Sequence, residues 1–180
     1  MKSRLKYWIV IIFIGLVIIS SLYFADSSFL FESESENKND QIGLKVGNIA
    51  PNFSLEDLDG EKFELSDYQD QFVILDFMAT WCTPCKIEMD HLRTIYENYS
   101  QEKIAIISID VDPTEKKGTI REFKEEFGSN WTFASGPQVG ARYKVSGIPT
   151  LYVLSPNQEI IFKNSGVVSA STISKKIDGY

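Results

Sequence analysis

The run FVILDFMA at positions 72–79, followed at once by TWCTPCKIE at 80–88, constrains the fold more than any other stretch. An almost unbroken apolar run with a single acid predicts a strand buried on both faces, which requires a sheet covered by helices. Beyond it, Ile87, Leu92, Ile95 and Tyr99 recur at roughly helical spacing, with Met89 and Tyr96 beside them. A buried strand that passes directly into a helix is the opening of an α/β unit.

The same alternation continues along the chain. KIAIISIDV (103–111) predicts a second buried strand, and Thr114 to Phe127, rich in Lys and Glu, a second helix. PTLYVLSP (149–156) and QEIIFKN (158–164) predict two strands joined by a short Pro-Asn turn, and Ser169 to Ile177 a closing helix. Upstream, LEDLDGEKFEL (55–65) carries Asp59-Gly60 between apolar positions, a hairpin signal. The expected architecture is an α/β sandwich: a mixed central β-sheet with helices on both faces, preceded by an N-terminal β-hairpin extension.

The N-terminus reads as an address. Tyr7 to Ala25 carries no charge; as a helix it would reach roughly 28 Å, close to the hydrocarbon thickness of a bilayer. Lys2, Arg4 and Lys6 precede it, while Asp26, Glu32, Glu34 and Glu36 follow. The positive-inside rule puts residues 1–6 in the cytoplasm, a single transmembrane anchor at 7–25, and the rest outside. Tyr23 stands where a signal-peptide cleavage site wants a small residue, so an uncleaved anchor is the preferred reading. Residues 26–41 are acidic and low in complexity and read as a flexible linker, leaving 42–180 as the folded domain. The net charge of −7 argues against nucleic acid as a partner.

Cys82 and Cys85 are the only two cysteines. A bond between them closes a tiny loop and would constrain the unfolded chain weakly, so stabilisation is a poor reason for the pair. At the start of a helix, unpaired N–H groups and the helix dipole favour a thiolate at Cys82. Pro84 suits the first turn, where its missing N–H costs nothing. Cys85, one turn in and more shielded, is placed to reach the first sulfur. A zinc site normally needs four ligands, and two cysteines with the lone His91 do not supply them. Asp76 is the odd residue of its strand. Burying a carboxyl is expensive, and burial raises its pKa toward the range of a proton acceptor near neutral pH.

VILDFMATWCTPCK (73–86) resembles the active-site strand and helix of the thioredoxin family, including Trp81 before the first cysteine and Lys86 after the second. By that resemblance Asp76 is the buried carboxylate that relays the proton of Cys85. SGIPTLYVL (146–154) is similar to the family's cis-proline loop, which implies a cis Pro149 opposite the sulfurs, with Ile148 and Thr150 beside it. Residues 46–77 and Glu88 are similar to the membrane-anchored group typified by TlpA, ResA and CcmG. There are departures. Asp90 stands where that group has a helix-kinking Pro, and Ile148 where some cytochrome-maturation members carry an acid. Met78 replaces a common Trp, and Ile106 a lysine near the buried carboxyl. The upstream segment also resembles peroxiredoxins, but Ala79 occupies the place of their required Thr.

The resemblance implies thiol–disulfide exchange. Cys82 is the nucleophile, Cys85 the resolving thiol and Asp76 its base. Trp81, Thr83, Pro84, Ile148, Pro149 and Thr150 form the docking surface, with Glu88 and Lys86 in support. No cofactor or metal is required. Expected partners are protein disulfides outside the membrane, with apocytochrome c as the best guess, and a membrane thiol transporter as electron donor. Thr83-Pro84 offers no His or Lys to stabilise a thiolate, which favours a reductase. The alternatives are an oxidase or isomerase of secreted proteins, and a tethered module that binds clients without catalysis.

Overall fold

The computed structural model describes residues 41–127 and 129–180. Among them no helix is long and apolar enough to cross a membrane, and the expected anchor at 7–25 lies outside the described residues. A five-stranded mixed sheet forms the centre, with strand order β5-β4-β3-β6-β7. Its strands are β3 (Phe72–Met78), β4 (Ile104–Asp110), β5 (Thr132–Ser135), β6 (Thr150–Leu154) and β7 (Ile160–Ser165). β3, β4 and β5 run parallel, whereas β6 is antiparallel to both β3 and β7. Before it, β1 (Ser54–Glu56) and β2 (Lys62–Glu64) pair as the expected hairpin. Its loop spans residues 57–61, with Gly60 at φ 96°. That left-handed geometry is the reason for a glycine there.

Strand parity divides the core in two. Ile74 and Met78 of β3, Ile104 and Ile106 of β4, and Leu151 and Val153 of β6 face one layer together with both cysteines. Val73, Leu75, Phe77, Ile107, Ile109, Tyr152 and Leu154 face the other. Three helices cover the first layer: α1 (Thr83–Asn98), α2 (Lys117–Glu126) and α4 (Ala170–Asp178). The second layer is closed by α3 (Pro137–Arg142) and the N-terminal extension, through Val139, Phe53, Leu55 and Leu65. All seven residues of β3 are buried, as its apolar run predicts.

Three local differences have physical reasons. The buried stripe of α1 is Cys85, Glu88, Met89, Leu92 and Ile95, while Ile87 points outward at 52% exposure. The expected apolar face is therefore rotated so that a carboxyl, not an isoleucine, enters the core. α2 starts at Lys117 instead of Thr114, because Thr114 donates its N–H and hydroxyl to Asp112 and is held in a turn. β5 and α3 have no counterpart among the predicted elements. One is four residues long and the other six, too short to show a period.

Candidate active site

Cys82 is the N-cap residue of α1, and the Cys85 N–H donates to its sulfur at 3.2 Å. The sulfur thus takes the place of the usual capping oxygen and receives one of the helix's orphan donors. Pro84 lies in the first turn, exposed together with Thr83. Cys82 and Cys85 form a disulfide, with Cα atoms 5.2 Å apart. Both sulfurs are enclosed, Cys85 completely and Cys82 nearly so. Lys86 is half-buried and begins the helical ladder by donating its N–H to the Cys82 carbonyl.

The rim is built from two loops. Trp81 is 63% exposed, and its indole N–H donates to Asp112 at 2.8 Å. Thr80 donates its hydroxyl at 2.8 Å and its N–H at 3.3 Å to the Glu115 carboxylate. The segment after β4 therefore holds the residues that lead into Cys82. Thr114 donors and the Trp81 indole keep the Asp112 carboxyl below its usual range. On the other side, the Ile148–Pro149 bond is cis, Pro149 is buried and Ile148 half-buried. Gly166 of the loop after β7 donates to the Pro149 carbonyl at 2.7 Å, and Thr150 bonds to Ser165 and to the Gly147 carbonyl. Pairing of Phe77 with Thr150 places this loop at the end of β3 from which the cysteine helix departs.

Two carboxyls are buried in the layer that holds the disulfide. Asp76 sits between Ile74 and Met78 on the cysteine-facing side of β3 and is fully buried. Ser108, its register partner in β4, donates a hydroxyl to Oδ2 at 2.8 Å. Oδ1 has no hydrogen-bond partner among the described residues. Burial pushes the Asp76 carboxyl up to about 7, against the Ser108 hydrogen bond and with help from the charge of Glu88. Glu88, one turn after Cys85, is also buried and is pushed up to about 7 by burial, opposed by a 2.8 Å hydrogen bond from the Val168 N–H. A third buried acid, Asp110, ends β4, accepts the Asp112 N–H at 2.9 Å and is pushed up by burial and by the neighbouring Glu115 carboxyl.

Sequence reasoning missed Ser108, Trp131, Asp110, Asp112 and Glu115. The signal for Asp110 was present: it is an acid in an apolar strand, the property that singled out Asp76. Ser108 interrupts the same run. Asp112 and Glu115 lie on a loop and gain their roles only from tertiary contact.

A vicinal cysteine pair at a helix N-terminus, on a mixed sheet and beside a cis-proline loop, defines a thioredoxin-fold thiol–disulfide oxidoreductase. The chain belongs to the AhpC/TSA family, which matches residues 46–163. It is similar to the thiol-disulfide oxidoreductase ResA of Oceanobacillus iheyensis, with 30% identity over 160 residues, covering 86% of this chain and 80% of that protein. ResA of Bacillus subtilis is 32% identical over 132 residues, covering 72% and 73%. Among solved structures, a thiol:disulfide interchange protein DsbE from Chlorobium tepidum superposes with a TM-score of 0.68 at 26% identity, covering 76% of this chain and 98% of that one.

Proposed function

We propose that this oxidoreductase acts as a reductase of protein disulfides, outside the membrane and tethered by residues 7–25. Residues 1–6 form the cytoplasmic tail and 26–41 the linker that carries the domain from 42 to 180. Reduced Cys82, as thiolate, attacks a substrate disulfide and forms a mixed disulfide, expelling one substrate thiol. Asp76 takes the proton of Cys85. The Cys85 thiolate then attacks Cys82, releases the second substrate thiol and leaves the Cys82–Cys85 disulfide. Two electrons and two protons from a membrane thiol transporter restore the dithiol. Trp81, Thr83, Pro84, Ile148, Pro149 and Thr150 receive the substrate, and Lys86 and Glu88 support the pair. Apocytochrome c is the proposed client.

The observation that carries this reading is the buried Asp76 on the cysteine-facing side of β3, raised to about 7 where it can exchange a proton with a thiol. The test is to trap clients with Cys85→Ser, which stops resolution and leaves the mixed disulfide on Cys82, and to measure the potential of the pair. Thioredoxin lies at about −270 mV and a strong oxidant of this fold at about −120 mV. A value near the first, with captured apocytochrome c, supports the proposal. A value near the second makes the protein an oxidase or isomerase.

A further inference from the structure

We propose that Ser108 and Trp131 form an orienting pair that keeps Asp76 in its proton-accepting form. The inference rests on the reading of Asp76 as the base for Cys85. Asp76 and Ser108 face each other across the parallel β3–β4 ladder, on the side that carries the disulfide. The Ser108 Oγ–Asp76 Oδ2 distance is 2.8 Å. A hydroxyl beside a carboxyl can either donate or accept, and the two choices favour opposite protonation states. Here the choice is biased from behind. Trp131 Nε1 lies 3.0 Å from Ser108 Oγ, and an indole N–H can only donate. With the indole proton on one side of the oxygen, the hydroxyl proton is directed to Asp76. A donated hydrogen bond stabilises the carboxylate.

Trp131 is itself held. It is buried, stacked on Phe133 at 5.8 Å between centroids and tilted against Tyr96 at 5.6 Å. Its position just before edge strand β5 therefore transmits through Ser108 to a carboxyl two strands away. The groups facing Asp76 leave this donor without a substitute. α1 presents Glu88, whose charge opposes ionisation, and the two cysteines. β6 presents Leu151, and the next inward residue of β4 is the acid Asp110. Oδ1 has no partner among the described residues. Ser108 is thus a positioning residue: it touches neither sulfur nor substrate and acts through Asp76.

The test follows Asp76 directly in the full-length oxidised protein, where neither cysteine titrates. Carbon-13 carboxyl NMR with labelled aspartate, assigned by Asp76→Asn, gives its titration midpoint. Ser108→Ala raises that midpoint by about one pH unit or more, the size expected for losing a hydrogen bond to a charged group. Trp131→Phe raises it by less, since the hydroxyl remains but is free to turn. In the reduced protein, resolution of a mixed disulfide by Ser108→Ala falls about tenfold at pH 6 and is unchanged at pH 9. A loss that is equal at both pH values, or a midpoint in Ser108→Ala within about 0.3 of the native value, overturns the proposal. A midpoint that moves in Ser108→Ala but not in Trp131→Phe overturns the role of the indole. If the midpoint moves as stated while Asp76→Asn resolves mixed disulfides at the native rate, the orienting pair stands and the reading of Asp76 as base fails.

Discussion

Val168 donates its backbone N–H to the buried carboxyl of Glu88 at 2.8 Å, tying the cysteine helix to the loop between β7 and α4. Glu88 occupies the inward position that the helical pattern assigns to Ile87. Its charge is one of the causes that raise Asp76. Removing that charge lowers the Asp76 midpoint. Glu88→Gln retains an oxygen to accept from Val168, so the loop stays tied. The expected fall is about half to one pH unit, at the weak end of charge–charge effects, read by the same carbon-13 titration.

The buried acids also set how stability varies with pH. Asp76 and Glu88 both have folded midpoints near 7, above their ordinary values of 3.8 and 4.5. The folded state therefore binds protons more tightly than the unfolded state between those limits. Their stabilising contribution is fully present below about pH 4 and is lost as pH rises to about 7. Above pH 7, Asp76→Asn removes the cost of a buried charge. It is expected to be more stable than the native protein at pH 8 by on the order of 2–4 kcal/mol, and no more stable at pH 4. Urea unfolding of the oxidised proteins at the two pH values measures the difference. Equal stabilities at pH 8 would show that Asp76 is not raised.

The Asp110–Glu115 pair makes a separate prediction about the rim. Asp110 is pushed up by burial and by the neighbouring Glu115 carboxyl. Glu115 in turn receives both donors of Thr80, two residues before Cys82. As pH rises through the Asp110 midpoint its proton leaves, a buried charge faces the Glu115 carboxyl, and the stability the proton supplied is lost. Asp110→Asn replaces the proton with an amide donor. The native protein should lose about 3–8 °C of Tm across that alkaline transition, while the variant stays flat. A Tm that falls equally in both proteins would assign the loss to other groups.

Much of this site was legible because its parts are local. The apolar run of β3, the Cys-x-x-Cys at a helix start and the Ile-Pro-Thr before a strand each lie in one short stretch. The paired elements β1–β2 and β6–β7 were legible from their turns, since a hairpin needs only adjacent sequence. What stayed hidden depends on register and packing between distant segments. Ser108 matters because parallel pairing sets it opposite Asp76, and Trp131 because β5 lies on the far side of β4. Glu88 could be seen as an acid but not as a buried one. The amphipathic pattern favoured Ile87, and only contact with the loop at Val168 rotates α1 to bring the carboxyl inside.

Asp112 is the residue whose removal should separate substrate capture from chemistry. Its carboxylate accepts the Trp81 indole at 2.8 Å and is itself held by the Thr114 hydroxyl and N–H. Trp81 is largely exposed, so little packing fixes its ring, and this hydrogen bond sets where the ring stands beside Cys82. Asp112→Ala frees the indole without touching the sulfurs, Asp76 or Glu88. Capture of a protein disulfide then requires ordering the ring, a cost of about 1 kcal/mol for a lost solvent-exposed hydrogen bond, or roughly a fivefold rise in KM. The rate of resolution, which takes place between Cys82 and Cys85 beneath the rim, stays at the native value. A small disulfide that does not contact Trp81 should react equally with both proteins. A fall in resolution rate with KM unchanged would instead place Asp112 in the proton chemistry and remove it from the docking surface.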